Sequence, residues 1–105
     1  MNFTQILSFH VGDFEVTVQN DVTFKQGATD NQDLYEKEYL FGEYTTSKHG
    51  VTVNFRGKKI SSCILMAGGG PSTVHENSAL IHGSSCIVAV GKYVCSLSIP
   101  SLELE

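Results

Sequence analysis

The densest collection of reactive residue types is the segment Ala67-Gly68-Gly69-Gly70-Pro71-Ser72-Thr73-Val74-His75-Glu76-Asn77-Ser78. Three successive glycines let consecutive backbone N–H groups converge on an anion, and Ser72 and Thr73 would add hydroxyl donors. His75 and Glu76 add an imidazole that titrates near neutral pH and a carboxylate, the groups acid–base chemistry requires. Gly68, Gly69, Gly70, Ser72, Thr73, His75 and Glu76 are therefore the candidate ligand-binding residues. Two phosphate-binding patterns are nonetheless missing. A P-loop needs Lys followed by Ser or Thr after its last glycine, where Pro71-Ser72 stands. A dinucleotide fingerprint needs another glycine spacing and a βαβ unit. Adjacent residues on a strand also point to opposite faces, so His75 and Glu76 converge only where the backbone turns between them. The plainer reading is a turn joining two strands, and no residue is assigned a catalytic role.

The other reactive side chains read as structural. Cys63, Cys86 and Cys95 each lie in an apolar run, where a thiol packs as a small hydrophobe instead of acting as an exposed nucleophile of lowered pKa. Their odd number argues against a disulfide framework and for a reducing, cytoplasmic setting. His10, His49, His75 and His82 are scattered, with no His-x-x-x-His and no cysteine pair at zinc spacing. No metal and no cofactor are expected. Lys48, Arg56, Lys58 and Lys59 form the one basic grouping. It reads as a solvated hairpin tip that discourages edge-to-edge aggregation, with an acidic partner or a phosphate as the sharper alternative.

The chain that must position these groups has 105 residues, enough for one domain of ordinary size spanning 1–105. Apolar residues make up 41%, so a hydrophobic core forms without disulfide staples. Charged residues are sparse at 17% and glycines number 10, a balance that suits tight-turned β structure better than a helical bundle. The net charge of −4 is unevenly spread. Asp13 to Glu43 holds eight acids and two bases (−6), Tyr44 to Ile99 five bases and one acid (+4), and Glu103 and Glu105 the last −2. That split suits contact between the two halves, within or between subunits. It does not suit nucleic acid, which requires a continuous basic face. No membrane association is expected either. Met1 to Ser8 lacks a basic residue and is too short in apolar character for a secretory signal. The closing Leu104-Glu105 is given no structural weight.

Alternation is the strongest secondary-structure signal. Phe14, Val16 and Val18 share one parity and Glu15, Thr17 and Gln19 the other; after Asn20-Asp21 the pattern resumes at Val22 and Phe24. This predicts a hairpin with an Asn-Asp turn, or one long kinked strand. Val51, Val53 and Phe55 alternate likewise before a polar turn at Arg56-Gly57-Lys58, and Tyr93, Cys95, Leu97 and Ile99 do so before Pro100. Residues 30–44 are ambiguous. Asp30 or Asn31 would cap a helix beginning near Asp33 with Tyr35, Tyr39 and Gly42 at helical spacing, whereas a strand places Tyr35, Lys37, Tyr39 and Phe41 on one face. The aromatic content favours the strand.

Two runs are apolar on both parities: Cys63 to Ala67 and Cys86 to Val90. A strand apolar on both sides must be covered on both sides, by a helix, by a tightly wrapped barrel or by another subunit. The runs also echo each other, Ser61 to Gly68 matching Ser84 to Gly91 at an offset of 23, and Leu80 to Glu103 resembles one hairpin of a propeller blade. A whole propeller needs at least four blades of about forty residues, so shared strand composition explains both. The expected fold is mainly β: a single small antiparallel-rich β-sandwich or barrel of about seven strands, with room for one short helix. The expected function is a non-catalytic binding or assembly module that forms a homo-oligomer through an apolar sheet face. The alternatives are a small-ligand-binding protein or enzyme using the Gly68–Gly70 loop with His75 and Glu76, and a fragment of a larger β protein.

Overall fold

A computed structural model describes residues 6–21, 35–42, 47–68, 79–90 and 93–105. Eight strands are present among them: β1 (Ile6–Val11), β2 (Phe14–Asn20), β3 (Lys37–Phe41), β4 (Ser47–Phe55), β5 (Lys58–Ala67), β6 (Ala79–His82), β7 (Ser85–Val90) and β8 (Tyr93–Ser98). They form a five-stranded sheet in the order β1-β2-β4-β5-β3 and a three-stranded sheet in the order β6-β7-β8. All pairings are antiparallel except β3 with β5, which is parallel. The fold is thus mainly β, two sheets packed face to face, and the described residues contain no helix. Within the ambiguous 30–44 stretch, Lys37–Phe41 is strand, as its aromatic content predicts. Val22 and Phe24 and the proposed helix cap at Asp30 or Asn31 lie outside the described residues.

The alternating residues fill the space between the sheets. Val16 and Val18 of β2, Val51 and Val53 of β4, and Cys63, Leu65 and Ala67 of β5 pack in one core with Cys86, Val88 and Val90 of β7 and Cys95 and Leu97 of β8. The 23-residue echo acquires a physical meaning here. Cys63, Leu65 and Ala67 become Cys86, Val88 and Val90 at that offset, and both triplets line the same inter-sheet core. β7 is the middle strand of its sheet and β5 lies inside the larger one. Two interior strands of facing sheets need the same thing, small-to-medium apolar side chains on one parity.

Tight turns close one end of the sandwich. Arg56 (φ 51°) and Gly57 (φ 84°) join Phe55 to Lys58 as a two-residue loop with both central residues left-handed, the turn whose twist matches that of the strands. Along β4–β5 the register slips at Val53/Asn54, so that Ile60 falls between the registered pairs Val53–Ser61 and Asn54–Lys59. Near this end the chain turns back after β8. Leu102 is wholly buried, Leu104 bridges Leu97, and the Glu105 N–H donates to the Ser96 carbonyl at 2.9 Å. The closing pair of residues therefore has structural weight, contrary to the sequence reading: it covers the outer edge of β8.

Candidate functional site

Gly68 follows directly on β5 and is buried; it is the one candidate ligand-binding residue within the described set. Gly69, Gly70, Ser72, Thr73, His75 and Glu76 lie outside the described residues. The strand directions fix where that segment attaches. β5 and the parallel β3 end beside the start of β4 and the end of β2. In the smaller sheet the corresponding level holds the start of β6, the end of β7 and the start of β8. Phe41, closing β3, stacks on Tyr93, opening β8, with centroids 5.6 Å apart at 29°, so the two sheets present these strand ends on the same side of the molecule. The described strand ends that flank 43–46, 69–78 and 91–92 thus lie at one end, opposite the tight turns, whereas β3, being parallel to β5, starts at the level of Cys63, away from that end.

Several of the described side chains at that end are polar. Asn20 and His49 oppose each other across β2–β4 and are both buried, on the core-facing parity. The Asp21 N–H donates to the Lys48 carbonyl at 2.8 Å, and the Tyr35 hydroxyl donates to Asp21 Oδ2 at 2.7 Å. Burial, with the Asp21 carboxylate beside it, raises the Tyr35 phenol above its ordinary range and keeps it a donor.

Tyr35 departs from the face the strand pattern gave it. The chain bends at Glu36, whose N–H donates to Ser62 Oγ at 3.0 Å and whose carboxylate accepts from the Ser62 N–H at 3.4 Å. That bend carries the Tyr35 ring to the outer side of the larger sheet, while Tyr39 and Phe41 stay on the inner side against the main core. On the outer side Tyr35 packs against Ile64 and Met66, both fully buried. It lies over Gly50, where a Cβ would come within 2.8 Å of ring carbons. The second apolar face of Cys63–Ala67 is therefore buried within the single chain, and among the described residues it is Tyr35 that packs against it. The glycine in the middle of β4 was the sequence signal for this close approach.

All three thiols are buried in the inter-sheet core. Burial, with the neighbouring thiols adding to it, pushes Cys63 and Cys86 up to about 12; burial pushes Cys95 up to about 11. Neutral, enclosed thiols pack and do not attack. Among the described residues no three His, Cys, Asp or Glu side chains converge as a metal site would require. The basic grouping divides: Lys48 belongs to the loop-bearing end, while Arg56, Lys58 and Lys59 are exposed at the tight-turn end. There Arg56 pairs with Asp13 at 3.3 Å and lies 5.1 Å over the Phe55 ring. No helix among the described residues is long and apolar enough to cross a membrane.

The smaller sheet treats its outward face differently. Leu80 sits opposite Ile87, and Ala89 opposite Val94, on the parity turned away from the core. Leu80 is 52% exposed and Val94 71%, with Ile87 and Ala89 half-buried beside them. Towards the tight-turn end the same face becomes polar at His82, Ser85, Ser96 and Ser98, with Glu105 Oε1 accepting from Ser85 and Ser96 at 2.7 Å each. From Ala79 to Leu102 the sequence holds one charged residue, Lys92, outside the described set. The chain matches no known family model, no curated protein and no solved structure.

Proposed function

We propose that this domain is a non-catalytic assembly module that pairs with a second copy through the outward face of β6-β7-β8. One contrast carries the reading: the chain covers the outer side of β5 with Tyr35 but leaves Leu80 and Val94 more than half exposed over β7. Contiguous exposed apolar surface is the feature that marks association sites. The apolar part of the face carries no charged side chain among the described residues, the Glu105 carboxylate lying at its polar end against Ser85 and Ser96. Two copies that meet over Leu80, Ile87, Ala89 and Val94 therefore do so without like-charge repulsion there, even though each chain carries −4. Burying the four apolar side chains in an isologous contact supplies the driving force, at roughly 25 cal/mol per Å² removed from water.

Sedimentation velocity over a wide concentration range tests this. The unaltered protein is expected to run as a dimer or larger. Leu80→Glu with Val94→Glu is expected to remove this contact while leaving the circular dichroism spectrum and melting temperature nearly unchanged, since both side chains face outward. A strictly monomeric unaltered protein at high concentration overturns the reading, as does association indifferent to the two glutamates.

A further inference from the structure

The two sheets present four edges, and the chain protects three of them. β8 is covered by the returning segment, with the Ser98 N–H donating to the Glu103 carbonyl and Glu105 pairing onto Ser96. β3 carries Lys37 and Glu38 and is tied to the same segment: Lys37 Nζ donates to the Ser101 carbonyl at 2.6 Å and the Tyr39 hydroxyl to the Leu102 carbonyl at 2.8 Å. β6 is only four residues long. β1 has none of these devices. It runs six residues, Ile-Leu-Ser-Phe-His-Val, in unbroken register with β2, without proline, glycine, lysine or bulge. Among the described residues nothing pairs with its outer side. An edge of that kind is a template for another strand.

The side chains on β1 point the same way. Leu7 and Phe9 pack against the core yet are only half-buried, as is Val11 on the same parity of the strand, whereas Val16 and Val18, paired with Phe9 and Leu7 on β2, are completely enclosed. Ile6 is 57% exposed. A strand added outside β1 would complete the cover over those three side chains, provided it too alternates apolar inward and polar outward.

We infer that β1 is a second self-association site, at which β1 of another copy adds antiparallel and joins the two five-stranded sheets into one. Antiparallel pairing centred on Phe9 sets Phe9 opposite its twin, Leu7 opposite Val11 and Ser8 opposite His10. This arrangement keeps Leu7, Phe9 and Val11 on the core side of the joined sheet and leaves Ile6 on the outer side with Ser8 and His10. It brings no like charges together, because His10 is the only ionisable residue on the strand and it meets a serine. The occupant is a second copy because β1 has both the alternation and the neutrality that its own edge asks for. A ladder of this length buries less than the ~800 Å² per partner of a standard interface, so pairing depends on concentration. This site is independent of the β6-β7-β8 face and adds a second valence to the proposed module.

The experiment is a charge-swap pairing on the full chain, in the Leu80→Glu, Val94→Glu background that removes the other contact. Ser8→Lys with His10→Lys places two lysine pairs across the ladder, and Ser8→Glu with His10→Glu places two glutamate pairs. Each is expected to weaken dimerisation at least tenfold in sedimentation equilibrium, and an equimolar mixture of the two is expected to restore it as a heterodimer. Ser8 and His10 are exposed, so both variants should fold, which circular dichroism verifies. A background protein that stays monomeric at every concentration overturns the β1 site and leaves the face reading standing. Lysine and glutamate variants that dimerise unchanged, or that fail to pair when mixed, also overturn it.

Discussion

Consider titrating the folded protein into alkali. Three thiols are enclosed together between the sheets, and burial first, then the proximity of the other thiols, raises Cys63 and Cys86 from 9.0 to about 12. Burial takes Cys95 to about 11, a hydrogen bond from the Val88 backbone holding it slightly lower. In the unfolded chain these groups ionise near their ordinary value, so the unfolded state releases protons that the folded state retains. The folded pKa is the higher one; the stabilisation is complete below about pH 9 and drains away as the pH climbs through the folded values. At pH 10, one unit above the unfolded value, each thiol costs about 1.4 kcal/mol, and the three together about 4 kcal/mol. A further pH unit roughly doubles that loss. Tyr35 and Tyr39, both raised chiefly by burial, act in the same direction. Set against a total stability of ~5–15 kcal/mol for a small domain, cooperative unfolding is expected between about pH 10 and about pH 11. Urea unfolding at stepped pH under reducing conditions measures the slope, and Cys63→Ala should remove about a third of the thiol contribution. Stability that stays level from about pH 8 to about pH 10.5, or thiols that titrate near pH 9 while the fold persists, would refute the account of the core.

Two further predictions concern backbone positions. Gly50→Ala drives a methyl group into the Tyr35 ring, breaking its hydrogen bond to Asp21 and uncovering Ile64 and Met66; a loss of about 2–3 kcal/mol is expected. In a Tyr35→Ala background the same substitution should cost far less, and equal costs in both would exclude the close approach. Gly57→Ala meets no atom within 4 Å, so its cost is purely that of holding a φ of +84° with a Cβ. About 1–2 kcal/mol is expected by chemical denaturation, and a neutral result would contradict the left-handed turn.

Much of the fold was legible because it rests on period-2 alternation, which a sheet with one buried face enforces. Val16 and Val18, Val51 and Val53, and Cys95 and Leu97 all point where their spacing predicted. The parallel pairing of β3 with β5 was not legible, since it joins residues such as Tyr39 and Leu65 through no turn and no local pattern. Nor was the role of Leu104 and Glu105, which depends on the chain reversing after β8 to meet Leu97 and Ser96. The candidate loop was singled out by composition alone. Of its ligand-binding residues only Gly68 is described, and that residue is buried at the end of a strand.

The two doubly apolar runs make the instructive pair. Cys63–Ala67 and Cys86–Val90 read alike in sequence, and on their inner sides they behave alike. Their outer sides differ because of residues far away in the chain: Tyr35 reaches across Gly50 to close over Ile64 and Met66, whereas no described residue closes over Ile87 and Ala89 in the same way. Apolarity on both parities therefore specifies a need for cover but not its source. Where the chain supplies the cover, the run is core; where Leu80 and Val94 remain in water, the same pattern becomes surface available for assembly.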